Sequence, residues 1–286
     1  MIIGNKEFDF KNTAYIMGII NATPDSFSDG GKYKNGSDIL KTVAEMIASG
    51  ASIIDIGGES AKPGYIPITE EEEISRIVPY IELISNHFDI PISVDTYKSK
   101  VAKAALDAGA HMINDIWGLK ADSDMAAVIS KYKVPCCLMH NRDINMHPYS
   151  YCKDMETDEI CLMKDIELDL LESIDIAISA GIAKNNIILD PGIGFAKSYE
   201  ENLMVMKHLD KIADMGYPVL LGTSRKSMIG IALDAKVEDR LEGTLATTVY
   251  GRMKGCSIFR VHDVKENYKT LVMTEKLIGR KKEDTI

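Results

Sequence analysis

Short apolar runs alternate with longer segments of helical spacing from one end of this chain to the other. The runs lie at 16–20, 53–56, 91–94, 111–113, 134–139, 187–189, 218–221 and 257–261. Each is too short for a helix, carries few charges and breaks into polar or glycine-containing sequence, which predicts a strand covered on both faces. Between them, apolar residues recur at helical spacing. Ile39, Leu40, Val43 and Ile47 mark a helix over 37–49 that Gly50 stops, and Thr69 followed by Glu72 reads as a capping box opening a helix through Ile74, Ile77, Ile81 and Ile84. Further helices are predicted at 98–108, 125–132, about 159–180, 199–215, 241–253 and 268–277.

Eight strands, each followed by a helix, require parallel pairing with crossover helices. Eight such units close into a (β/α)8 TIM barrel, with a doubly wound open sheet as the alternative. There is no linker, composition shift or low-complexity segment, so a single domain over 1–286 is predicted. The polar excursion at 141–155 reads as an irregular loop and 280–286 as a charged tail.

Composition adds bounds. The chain has 286 residues, 45% of them hydrophobic, which is enough for one barrel-sized core. A formal net charge of -10 argues against nucleic acid and an anionic membrane as partners. Five cysteines, without paired metal-ligand spacings, read as reduced thiols of a cytoplasmic protein. The N-terminus lacks a signal-peptide pattern and no apolar run would span a bilayer.

In a barrel the loops after the strands gather at one face, and that face carries the chemistry. The residues there are Asn21, Glu59, Asp95, Asn114 with Asp115, His140, Asp190, Lys226 with Ser224 and Arg225, and Arg260 with His262. Singly, each has a plain structural reading: Asp95 or Asp190 as a helix cap, His140 as a core histidine, Arg260 as a solvent-facing strand residue. As a set, Asp95, Asn114 and Asp190 suit the edge of a flat heterocycle bearing several N–H groups and a carbonyl. Lys226, Arg260 and His262 suit a phosphate or other anion, and 222–227 leads into a helix start that would also attract one. There is no Walker loop, dinucleotide fingerprint or His-rich zinc site, and no argued catalytic triad.

All of these residues except His140 fall in seven ordered motifs: M-G-I-I-N-A-T-P-D-S-F-S-D-G-G at 17–31, D-I-G-G-E-S-x-x-P-G at 55–64, S-V-D-T at 93–96, I-N-D-I at 113–116, L-D-P-G-I-G-F at 189–195, G-T-S-R-K-S at 222–227 and R-V-H-D at 260–263. In them the chain resembles the dihydropteroate synthases of folate biosynthesis over nearly its whole length. The resemblance implies 6-hydroxymethyl-7,8-dihydropterin pyrophosphate and p-aminobenzoate as substrates, 7,8-dihydropteroate and pyrophosphate as products, Mg2+, a homodimer, and a place among the targets of sulfonamides. Carried over by position, it implies a pterin pocket at Asp95, Asn114, Met139, Asp190 and Lys226. It puts pyrophosphate at Asn21, Arg260 and His262, with Asn21 also near the metal. It puts p-aminobenzoate at Phe195, Lys226, Ser227 and the loop of Ala61 and Lys62, and a mobile loop at Asp25 and Asp29.

One motif departs from the family pattern. Ala61-Lys62 stand where the family has Thr-Arg, which loses a hydroxyl and a guanidinium fork. That departure bears on aminobenzoate and pyrophosphate and leaves the pterin pocket untouched. Two rival readings share the pocket. A pterin-dependent methyltransferase would need neither the opening loop nor Lys226-Ser227 and Arg260-His262 for pyrophosphate, and a non-catalytic pterin-binding paralogue is favoured only by Ala61-Lys62.

Overall fold

The computed structural model describes residues 1–22, 36–60, 66–142 and 158–279. A hairpin of β1 (Ile2–Ile3) and β2 (Lys6–Glu7) comes first, followed by β3 (Tyr15–Asn21), α1 (Gly36–Ala48), β4 (Ala51–Gly57), α2 (Glu70–His87) and β5 (Ile92–Asp95). Next come α3 (Ser99–Asp107), β6 (Met112–Asp115), α4 (Met125–Tyr132), β7 (Cys136–Met139), α5 (Asp158–Ser179) and β8 (Ile187–Asp190). The chain continues through α6 (Tyr199–Lys207), α7 (Leu209–Ala213), β9 (Leu220–Leu221), α8 (Ser227–Leu233), α9 (Leu241–Met253), β10 (Ile258–Val261) and α10 (Val264–Leu277). Strands β3 to β10 form one parallel sheet in the order β8-β7-β6-β5-β4-β3-β10-β9. A parallel bridge from Leu189 to Val219 joins its two ends. The sheet is therefore a barrel, not the open alternative.

Two interior systems follow from the period of two along each strand. One face of every strand packs outward on the helices, as Ile54, Ile56, Ile92, Val94, Ile113, Leu138, Leu189, Phe259 and Val261 do. The other face points into the barrel. At the N-terminal end of the strands it supplies Met17, Ile53, Met112, Cys137, Ile188, Leu220 and Ile258, which close on Ile3 and Phe8 of the hairpin segment. Ile3 is fully buried, so the hairpin is a plug in the bottom of the barrel. Strands of two residues carry no legible period, and this plug lies outside the sequence expectation.

Local signals behave as their chemistry directs, with three corrections. Thr69 caps α2 by accepting from the Glu72 backbone N–H at 3.2 Å, but the Glu72 carboxylate turns to Arg76 and the box is not reciprocated. The reciprocal box is Ser198 with Glu201 at the start of α6. The helix expected over 199–215 breaks at His208, whose backbone (φ -112, ψ 21) leaves the helical region. The thiols also differ: Cys136, Cys137 and Cys256 are free and buried, whereas Cys161 is disulfide-bonded. Gly50 does end the first helix, at φ +103, and a side chain there would collide with the Tyr268 ring. Among the described residues no helix is long and apolar enough to cross a membrane. Asp25, Asp29, Ala61, Lys62, most of the 141–155 excursion and the 280–286 tail lie outside the described residues.

Candidate active site

Two residues further along the strands, the same inward face changes character. Ile53 is followed by Asp55, Met112 by Asn114, Cys137 by Met139, Ile188 by Asp190 and Ile258 by Arg260. The plugged end is apolar and the open end is polar, so the C-terminal mouth is where this barrel concentrates its chemistry.

Arg260 lies at the centre of the mouth, and the reading that it faces solvent is corrected. Its Nε donates to Asp55 Oδ2 at 2.6 Å and its Nη2 to Asp95 Oδ2 at 2.8 Å. The guanidinium thus reaches from β10 past β3 to β4 and β5. Asn114 Nδ2 makes a long contact of 3.4 Å to the same Asp55 oxygen. Burial pushes the Asp95 carboxyl up, to about 7, and the Asp55 charge adds to this against the pull of Arg260. Neither Asp95 nor Asp190 caps a helix. Asp190 Oδ1 accepts the Gly192 N–H at 2.7 Å, which folds the chain after β8 into a turn. Gly192 has φ +69 there, and a Cβ would lie 2.0 Å from the His140 carbonyl oxygen, so only glycine fits. Burial raises the Asp190 carboxyl, countered by the Lys226 charge.

Lys226 enters from the loop after β9. Its Nζ donates to the Ile193 carbonyl oxygen and sits over the Phe195 ring, 4.4 Å from the centroid. Burial lowers its pKa to about 8, with Asp190 and Asp95 opposing. Ser227 is exposed at the first turn of α8. His262 Nδ1 lies 3.0 Å from Ser224 Oγ, which also accepts the His262 backbone N–H at 3.2 Å. Met139 is buried as the last residue of β7, and Asn21 ends β3 beside Gly57 of β4. Asp95, Asn114, Asp190, Lys226, Phe195 and Arg260 are thereby linked into one mouth, with Asn21, Met139, Ser227 and His262 on its rim strands and loops.

Other polar strand ends hold the scaffold. Arg225, at φ 57, grips Asp263 through Nε at 2.9 Å and Nη2 at 2.5 Å. Asp115 accepts the N–H groups of Trp117 and Leu119 at 2.8 and 2.9 Å. Glu59 accepts from Tyr97, Lys98 and the Ile68 N–H, at 2.9, 2.6 and 2.9 Å. His140 is the buried core histidine of its plain reading: burial and the nearby Lys197 and Arg142 charges hold it well below the usual imidazole range.

Two residues in contact with the mouth are given no role by sequence reasoning. Asp55 is fully buried between Ile54 and Ile56; it opens the 55–64 motif and is a lone carboxylate inside an isoleucine run, but neither signal assigns it a role. Lys197 has none. Its Nζ donates to His140 Nδ1 at 2.8 Å, Gly192 O at 2.9 Å and Phe195 O at 3.2 Å, stapling the turn that carries Asp190's partner and Phe195. Burial lowers its pKa to about 7.

Comparison with known proteins points to one family. The family described as "Pterin binding enzyme" matches residues 17–262. The dihydropteroate synthase of Clostridium beijerinckii is 57% identical over 281 residues, spanning 98% of this chain and 100% of that protein. A solved dihydropteroate synthase from Clostridium difficile, crystallised in the presence of pteroic acid, superimposes with a TM-score of 0.87 at 47% identity, covering 96% of this chain and 100% of that one. The Yersinia pestis enzyme in a sulfonamide drug complex gives a TM-score of 0.89 at 37% identity, covering 98% and 99%. The chain belongs to the dihydropteroate synthase family of pterin-binding enzymes.

Proposed function

We propose that this chain condenses 6-hydroxymethyl-7,8-dihydropterin pyrophosphate with p-aminobenzoate, releasing 7,8-dihydropteroate and pyrophosphate. The observation that carries the reading is the gathering of Asp95, Asn114, Asp190, Lys226 and Arg260 at one mouth. Hydrogen-bond acceptors and an amide there adjoin two cations. The carboxylates of Asp95 and Asp190, with Asn114 and Lys226, pair with the edge of the pterin, and Met139 packs on its ring. Arg260 and His262 take the pyrophosphate. Phe195, Lys226 and Ser227 receive p-aminobenzoate, with Ala61 and Lys62, which lie outside the described residues, as the further candidates.

Reaction is substitution at the pterin methylene. The C–O bond breaks with its electron pair going to pyrophosphate, and the aryl amine then bonds to the carbon and gives up a proton. Departure runs ahead of attack because Asp95 and Asp190 place negative charge beside a ring that becomes cationic, while Arg260 meets the charge of the leaving group. No residue of the mouth is needed as a covalent nucleophile. Holding the amine in line with the methylene supplies the rest.

Magnesium is the ion the family implies. No three acidic, histidine or cysteine side chains gather to cage it among the described residues, and Asp55 and Asp95 are already engaged by Arg260. An amide oxygen at Asn21 beside the pyrophosphate cations fits an ion that arrives on phosphate oxygens and keeps much of its own water. When bound there, it would offset charge on the leaving group. We further propose a homodimer. Tyr250 and Met253 of α9 and Met273 and Leu277 of α10 are exposed apolar side chains on adjacent helices, which supports a late-helix interface.

The test is to mix the chain with the pterin pyrophosphate, p-aminobenzoate and Mg2+ and to follow pyrophosphate. Release that depends on the amine is expected. No release would favour the non-catalytic paralogue or the methyltransferase, and methyl transfer in a second mixture that supplies a methylated reduced folate and a corrinoid protein would favour the latter.

A further inference from the structure

Arg260 and the pterin make competing claims on Asp95. In the structure Asp95 Oδ2 accepts from Arg260 Nη2, yet the proposed reaction gives the Asp95 carboxylate to the heterocycle. The Asp95 and Arg260 side chains are 16% and 20% exposed, within reach of an entering ligand, whereas Asp55 is fully buried behind them. Arg260 presents Nε and Nη2 along one edge of its guanidinium, and at present each donor serves a different carboxylate. Asp55 Oδ1 is buried with no hydrogen-bond partner among the described residues. A buried carboxylate with one oxygen engaged and the other unpaired has room for one more donor, and a guanidinium edge fits both oxygens of one carboxylate.

We propose that Asp55 is a positioning residue, the fixed anchor on which Arg260 turns when substrate binds. The heterocycle takes Asp95. Nη2 moves from Asp95 to Asp55 Oδ1, so the Nε and Nη2 edge closes as a fork on Asp55. The outer nitrogen, Nη1, then faces the mouth for the leaving pyrophosphate. Nη1 makes no hydrogen bond among the described residues in the present arrangement. Asp55 touches neither substrate. It keeps the cation from following Asp95 into the heterocycle site and aims it at the departing charge. This inference rests on the reading that Asp95 binds pterin and Arg260 binds pyrophosphate.

Asp55→Asn tests it, because an amide keeps the shape and one acceptor but cannot receive the fork. A pterin lacking the pyrophosphate should bind the variant within about threefold of the unchanged chain. The extra affinity that pyrophosphate confers should be lost, and kcat should fall about 10²-fold, the scale of a misplaced group. If Asp55→Asn does not fold, Arg260→Gln is compared with the double variant Asp55→Asn/Arg260→Gln, which removes both buried charges together. Equal kcat/KM in those two proteins is expected, since Asp55 acts through Arg260. The inference is overturned if Asp55→Asn weakens the plain pterin as much as the pyrophosphate ester, or if the double variant is slower than Arg260→Gln alone. Failure of the proposed reaction itself would look different: the unchanged chain would release no pyrophosphate in response to the amine.

Discussion

The two ends of this barrel are built from the same strands, two residues apart, and they do opposite work. At the N-terminal end Ile53, Met112, Ile188 and Ile258 meet Ile3 and Phe8 in a sealed apolar plug. At the C-terminal end Asp55, Asn114, Asp190 and Arg260 stand on the same faces of the same strands. The plug removes apolar surface from water and is stabilising. The mouth buries carboxylates and cations whose desolvation is unfavourable, as the raised Asp95 and Asp190 and the lowered Lys226 record. Stability and chemistry are thus separated along each strand, and a substitution should report which end it touches.

The largest effect is expected from Arg260→Gln, which removes the cation proposed to meet the leaving group. kcat/KM should fall about 10³-fold, with the loss concentrated on the pyrophosphate ester. A comparable loss for a pterin without phosphate would move Arg260 out of the leaving-group site. Ile188→Ala, at the plug, should cost about 2–5 kcal/mol of stability by denaturant melting and leave kcat/KM within about twofold. A selective loss of activity there would erase the division between the ends.

The pH dependence of kcat/KM comes next in size. If Asp95 pairs with pterin N–H groups as proposed, it must be ionised, and activity should fall about tenfold per unit as pH drops below about 7. Lys226 must be charged, so activity should fall again above about 8. For stability the signs follow from proton uptake. Lys226 is lowered in the fold, so its penalty is present at pH below about 8 and is relieved as pH rises from there toward its ordinary value. A flat profile between pH 6 and 9 would remove both groups from the rate. The smallest effect is Ser198→Ala, which deletes the reciprocal cap of α6 and should cost about 1 kcal/mol of stability without a change in substrate affinity.

Much of the barrel was legible because its strands are apolar on both faces and its helices keep a 3.6 period, as in the 53–56 run and the Ile74, Ile77, Ile81 and Ile84 stripe. The plug was not legible, because Ile2–Ile3 and Lys6–Glu7 are too short to show a period. The break at His208 was missed because the apolar spacing continues through it. At the mouth, Asp95, Asn114, Asp190 and Lys226 could be read as strand-end residues next to glycine or turn sequence. Arg260 was ambiguous, since alternation in a strand cannot say which face is the barrel interior. Asp55 left a trace as a charge inside an isoleucine run and as the first residue of the 55–64 motif, but neither says that it holds Arg260. Lys197 left none, because its value lies in carbonyls that only the folded turn brings within 3.2 Å.

A polar end that reads a pterin at the expense of stability should show both properties at a single residue. Calorimetric titration of 6-hydroxymethylpterin into the chain and into Asp190→Asn, with thermal unfolding of both, tests it most directly. The variant should bind at least about 30-fold more weakly, because an amide presents one acceptor where the heterocycle edge requires two, and should unfold at an equal or higher temperature, because a buried charge has been removed. Unchanged pterin affinity in Asp190→Asn would contradict it.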